Sequence, residues 1–145
     1  MTSSHAVIIT LNYFHKQLKI NKIHHIAIIC SNYEASKKFY TEILGFKIKK
    51  ETLRAERQSY KLDLMLNDAY IIELFSFPNP PPRPTRPEAL GLRHLAFEVD
   101  NLDEAIAFLE KNGVHTEGVR IDEITDKRFT FFNDPDNLPL EFYEK

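Results

Sequence analysis

Residues 22–30 read KIHHIAIIC, and residues 92–99 read LRHLAFEV. Each is a short apolar run broken by a histidine with an alanine two residues later: His25 with Ala27, and His94 with Ala96, 69 residues further on. Runs of this length, rich in Ile, Leu and Phe and ended by turn residues, are strands. The first, with Ile26, Ala27, Ile28, Ile29 and Cys30 in succession after His25, has the apolar character of a strand buried on both faces. The segments C-terminal to the two runs repeat as well. In SNYEASKKFYTEILG (31–45), Tyr33, Ala35, Phe39, Ile43 and Leu44 fall on one helical face, with Ser31 or Asn32 as cap and Gly45 as stop. In DNLDEAIAFLEKNG (100–113), Asp100 or Asn101 caps and Gly113 stops. Three strands come after each helix: FKIKKETL, SYKLDLML and YIIELFSF in the first copy, with LND as a turn, then VHTEGVRI, KRFTFFND and LPLEFYE in the second. The chain is therefore an α+β repeat of two βαβββ modules, residues 20–77 and 91–145.

Between the modules, residues 78–90 belong to a stretch that holds six of the eight prolines, which cannot supply ladder donors to a central strand. The segment is an extended connection, and long loops of this kind also serve as lids or dimer arms. Residues 1–19 read as an N-terminal extension; their apolar run, Ala6 to Leu11, is too short to span a bilayer and lacks the flanks of a signal peptide.

With 145 residues and 43% apolar content, the chain has the size of one domain with a sizeable core. Its 19 basic and 21 acidic residues are interspersed and sum to −2, which leaves no footprint for nucleic acid or an anionic membrane. Cys30 stands alone, so no intrachain disulfide and no thiolate zinc site is implied, and a cytoplasmic location is the expectation.

Equivalent positions of a repeat become equivalent positions in space, so polar residues recurring where apolar ones belong carry the information. His25 and His94 form one such pair. Glu73 in IIELF and Glu141 in PLEFY, 68 residues apart, form the other. Strand alternation puts His25 with Ala27, and Glu73 with Ile71 and Phe75, opposite the apolar Ile26, Ile28, Ile72 and Leu74. An ionised carboxylate on such a face is costly unless paired or metal-bound. Any one of these residues alone would be an ordinary paired strand residue; four at matched positions read as a mixed N and O site for Zn, Ni, Co, Mn or Fe(II). His5, His15, His24 and His115 have no repeat partner and no assigned role.

These motifs, together with FYTEILGF, GLRHLAFEVDNLDEA and the closing FTFFNDPDNLPLEFYE, resemble the vicinal oxygen chelate superfamily over about Lys22 to Glu144. That superfamily includes glyoxalase I, methylmalonyl-CoA epimerase, extradiol dioxygenases, and fosfomycin and bleomycin resistance proteins. The resemblance narrows to a bacterial group of small glyoxalase-like proteins. It implies two βαβββ modules in a curved, mostly antiparallel sheet. The ending departs from the usual DPDG pattern by Asn137, a residue that tolerates the left-handed conformation.

By resemblance to glyoxalase I, one divalent ion, Zn or Ni foremost, is held by His25, Glu73, His94 and Glu141. Glu141 is then the catalytic base and Glu73 a second acid/base. The implied chemistry is proton abstraction beside a carbonyl with a metal-stabilised enediolate, on a 2-oxoaldehyde hemithioacetal of a thiol such as glutathione. Four ligands favour this over the dioxygenases, whose triad lacks the Glu73 position. An Fe(II) extradiol-type dioxygenase and a non-catalytic binding or resistance protein are the alternatives. An anionic small-molecule substrate needs basic partners, for which Arg57, Lys61, Arg93, Lys127 and Arg128 on or near strands are the candidates. Exposed sheet edges and an open sheet face imply a homodimer.

Overall fold

The computed structural model describes residues 18–145; most of the 1–19 extension therefore lies outside the described residues. In the first module β1 (Ile26–Cys30) leads into α1 (Tyr33–Lys38), which continues through wider turns over Phe39–Ile43. Three further strands complete it, β2 (Lys47–Arg54), β3 (Ser59–Leu66) and β4 (Ala69–Ser76). The second module comprises β5 (Leu95–Val99), α2 (Leu102–Lys111), β6 (Arg120–Ile121), β7 (Arg128–Asn133) and β8 (Pro139–Glu144). The strands are hydrogen-bonded as two four-stranded sheets of identical order, β1-β4-β3-β2 and β5-β8-β7-β6. In each, the first strand runs parallel to the last and the other pairs are antiparallel.

The helix starts show why the repeat folds as it does. Asn32 and Asn101 are both extended, and each side chain accepts a hydrogen bond from the third residue on, Ala35 N and Glu104 N. Gly45 and Gly113 end the helical segments at φ of 78° and 77°, where a side chain would be strained. Replacing Asn101 by Ala removes the acceptor for a first-turn N–H and is expected to cost about 1 kcal/mol. Chemical denaturation would show this as a lower midpoint at constant slope; an unchanged midpoint would remove the cap's role.

The core lies between helices and sheets. Ile28, Cys30, Ile72 and Leu74, on the face opposite His25 and Glu73, are buried with Phe39, Tyr40, Leu62, Leu64 and Leu140. Three expectations need correction. β1 is buried on one face only, with Ala27 and Ile29 exposed, because the other face opens toward the His/Glu side. On α1 the inward positions are Ser36, Phe39 and Tyr40; Ala35 is exposed, the register of the helix being set by the two aromatic anchors. β6 is also far shorter than VHTEGVRI suggested, with Thr116 contributing only an isolated bridge to Phe132.

The modules are clasped by the DPDN turn. Asp134, only 5% exposed, accepts from Asp136 N and Leu138 N at 2.9 Å each, and from the Tyr40 hydroxyl of α1's extension at 2.8 Å. Burial, with Asp134 beside it, pushes the Tyr40 phenol far up, so it remains a donor. Asp136 in turn accepts from Ser31 N at 3.0 Å and from the Ser31 hydroxyl. Asn137 takes a φ of 62°, the conformation expected where the family's glycine would stand. Cys30 is buried in the same region, which pushes its thiol up to about 11 and makes it a packing residue.

Candidate metal centre

His25 sits one residue ahead of β1, and Ala27 of that strand is in register with Glu73 on the parallel β4. This brings His25 Nε2 to 3.4 Å from Glu73 Oε2. In the second module Ala96 is in register with Glu141, and His94 Nε2 lies 2.8 Å from Glu141 Oε2. The repeat has thus placed an imidazole and a carboxylate side by side twice, at the same point of the same topology. Two ligands of one ion, each about 2.0–2.2 Å from it and at tetrahedral or right angles, stand about 2.8–3.6 Å apart. Both pairs have that spacing, and the donor set fits a borderline divalent ion. No three His, Cys, Asp or Glu side chains gather as a metal-holding group among the described residues, so within one chain the two His–Glu pairs do not join into one cluster.

The two halves differ in their surroundings. Glu73 accepts from Lys61 Nζ at 2.6 Å and from the Tyr70 hydroxyl, while Lys61 also bridges to Asp63 at 2.8 Å. Burial works to raise the Glu73 carboxyl, but the bonds from Lys61 and Tyr70 outweigh it and hold the group below the usual carboxylate range. Glu73 is therefore held as an anion. His24 Nδ1 lies 2.8 Å from His25 Nδ1, which fixes the orientation of the His25 ring; the sequence had assigned His24 nothing.

Glu141 is buried, and its neighbour across the sheet is Phe131, on whose ring the His94 imidazole stands edge-on at 5.1 Å. Arg93 lies 3.1 Å from His94 Nδ1, and a guanidinium can only donate, so the ring proton sits on Nε2 and points at Glu141. For Nε2 to serve as a ligand the proton must move to Nδ1, and Arg93 must then give up this contact.

Of the five basic residues taken from the sequence, Arg93 is beside a half-site and Lys61 is bound to Glu73. The others are elsewhere. Arg57 is exposed in the turn joining β2 to β3, and Lys127 donates to the backbone carbonyl of Lys145. Arg128 shares a face with the buried Thr130 and Phe132, opposite Glu141, where it forms paired bonds to Glu144 and to Asp103 in the first turn of α2. Strand alternation from Glu141 through Phe131 to Arg128 would have excluded it. Arg83, Arg86 and Arg120, which sequence reasoning passed over, line a cleft with Arg93 beside Phe131. Their signal was weak, since two of them stand among prolines in a segment of undefined conformation.

Paired βαβββ modules with matching strand order define a class of fold, and similarity to known proteins places the chain in it. The chain belongs to the Glyoxalase/Bleomycin resistance protein/Dioxygenase superfamily, whose model matches residues 22–142. It is 64% identical over 126 residues to the uncharacterized protein YwkD of Bacillus subtilis (strain 168), covering 87% of this chain and 98% of the relative. It is 59% identical over 128 residues to the uncharacterized protein YaeR of Escherichia coli (strain K12), covering 88% and 99%. The crystal structure of a glyoxalase family protein from Enterococcus faecalis superposes with a TM-score of 0.79 at 52% identity, covering 85% of this chain and 97% of that one. Among the described residues no helix is long and apolar enough to cross a membrane.

Proposed function

We propose that this protein is a divalent-metal-dependent lyase or isomerase of the glyoxalase I type, acting as a cytoplasmic homodimer. The observation that carries the reading is the duplicated His–Glu pair, 3.4 Å apart in one module and 2.8 Å in the other. Two copies related by a two-fold axis would set the His25–Glu73 half of one against the His94–Glu141 half of the other, completing two four-ligand sites. The edge positions of β1 and β5 in their sheets favour such pairing.

In this reading His25, Glu73 and His94 hold the ion, with Zn or Ni preferred and Co, Mn or Fe accepted by the same donors. An ion held there would supply Lewis acidity to a bound carbonyl, which acidifies the neighbouring C–H. Glu141 takes that proton and returns it to the adjacent carbon. Glu141 is buried beside Phe131, and Lys61 and Tyr70 keep Glu73 anionic. The reaction class fits a 2-oxoaldehyde hemithioacetal formed with a thiol such as glutathione.

Elemental analysis of untagged protein, before and after reconstitution, tests the site directly. About one Ni, Zn, Co or Mn per chain should survive gel filtration at the elution volume of a dimer, and His94→Ala should reduce retention by at least about tenfold. Iron alone, with oxygen consumption on a catechol, would move the protein to the dioxygenases. A chain that takes up no metal at all would be a binding module.

A further inference from the structure

The Pro-rich connection does more than join the modules. Arg83 donates to Thr85 Oγ1 at 2.7 Å and to Leu92 O at 2.9 Å, and Thr85 Oγ1 donates to Asn137 O at 2.9 Å. These bonds lay the segment along the β7–β8 hairpin and leave a cleft of about 450 Å³ between them. Its sheet-side wall includes Phe131, Asn133 and Pro139, which lie on the same face as Glu141. Four guanidiniums, those of Arg83, Arg86, Arg93 and Arg120, converge there against two carboxylates, Glu88 and Glu117, and leave a net charge of +2.

The arrangement is directional. The Arg93 and Arg120 guanidiniums lie 5.6 and 5.5 Å from the centroid of the Phe131 ring, and that ring is in contact with His94 and in register with Glu141. Glu117 accepts from Arg120 and lies 3.8 Å from Arg86, and Glu88 lies 3.3 Å from Arg86 and 3.9 Å from Arg93. Each carboxylate thus holds two arginines together in the absence of a ligand. Planar guanidinium forks match the oxygens of a tetrahedral oxyanion, and phosphate carries close to two negative charges at neutral pH.

We infer that this arginine cleft binds the dianionic phosphate-type group of the substrate, so that the substrate is a phosphorylated or phosphonylated carbonyl compound whose reacting end lies at His94 and Glu141. The placement of the reacting end rests on the proposed function; the oxyanion site itself does not. The cleft is wide enough for a small sugar-phosphate-sized ligand, and Phe131 separates the anchored group from the reacting carbon.

Calorimetric titration of inorganic phosphate into the chelator-treated full chain tests the inference without any bound metal. One phosphate per chain is expected, with affinity reduced at least tenfold by Arg120→Ala and likewise by Arg93→Ala. Arg57→Ala, which removes the same charge from the exposed β2–β3 turn, should change it less than twofold. Glycerol phosphate should bind at least as well as inorganic phosphate. Equal affinity of the wild type and an Arg93→Ala/Arg120→Ala double variant would overturn the site. Exclusion of the ester, or tighter binding of malonate than of phosphate, would overturn the substrate class. A protein that takes up no metal yet binds phosphate through these arginines would overturn the proposed function alone.

Discussion

Glu141→Gln is expected to lower kcat by about 10²–10⁴-fold, the range by which a positioned general base accelerates proton transfer. The amide keeps the volume of the side chain and one acceptor oxygen toward His94, so the fold and the His94 contact at 2.8 Å should survive. The variant loses the basic oxygen at a buried position beside Phe131. Substrate binding depends on other groups, so KM should change little. The measurement is steady-state turnover of 2-oxoaldehyde hemithioacetals, with and without a phosphate group on the aldehyde, by metal-reconstituted wild type and variant, with metal content determined on the same samples. Full turnover at equal metal content would sink the role of Glu141 as base. A loss of turnover that tracks the loss of metal would leave it a ligand only.

Asp134→Ala should lower stability by about 3–5 kcal/mol. The substitution strands three donors at once, Asp136 N, Leu138 N and the Tyr40 hydroxyl, two of them in buried positions. For a domain of this size that is about 10–15 °C in Tm. Asp134→Asn keeps an acceptor for both backbone groups and should lose less than half as much. The pH dependence gives an independent check. Burial raises the Asp134 carboxyl above its ordinary value of 3.8, despite the opposing bonds from Leu138 N, Tyr40 and Asp136 N. A group raised on folding favours the folded state below its unfolded value and loses that contribution as pH climbs through the folded one. The stability difference between wild type and Asp134→Asn should therefore shrink as pH rises above about 4. A difference independent of pH would mean that the carboxyl titrates as it does in the unfolded chain.

The clasp explains why the DPDN turn stands out in the sequence without announcing its purpose. Asp-Pro-Asp-Asn is legible as a turn because Asn137 accepts a positive φ and Asp134 can bond to the backbone two and four residues on. That the same carboxylate also receives Tyr40, 94 residues earlier, is a long-range fact with no local trace. Arg128 teaches the complementary lesson. As a basic residue at a strand start it was a fair substrate ligand, but alternation along β7 and the acidic first turn of α2 committed it to the opposite face.

The sequence by itself determined the duplicated βαβββ order, the Gly stops of both helices and their caps to within one residue, the apolar face of each sheet, and the recurrence of a His and a Glu, His25 with Glu73 and His94 with Glu141, at matched positions of the repeat. It could do so because strand alternation, helix capping and internal repetition are periodic, local signals that survive in a one-dimensional string. Only the tertiary structure decided which histidine meets which glutamate, that the two pairs do not join into one cluster among the described residues, and that a proline-rich connection carries Arg83 and Arg86 to Arg93 and Arg120. Those outcomes depend on how two modules and their connection pack against each other, and packing is set by the sum of many long-range contacts rather than by the spacing of any few residues.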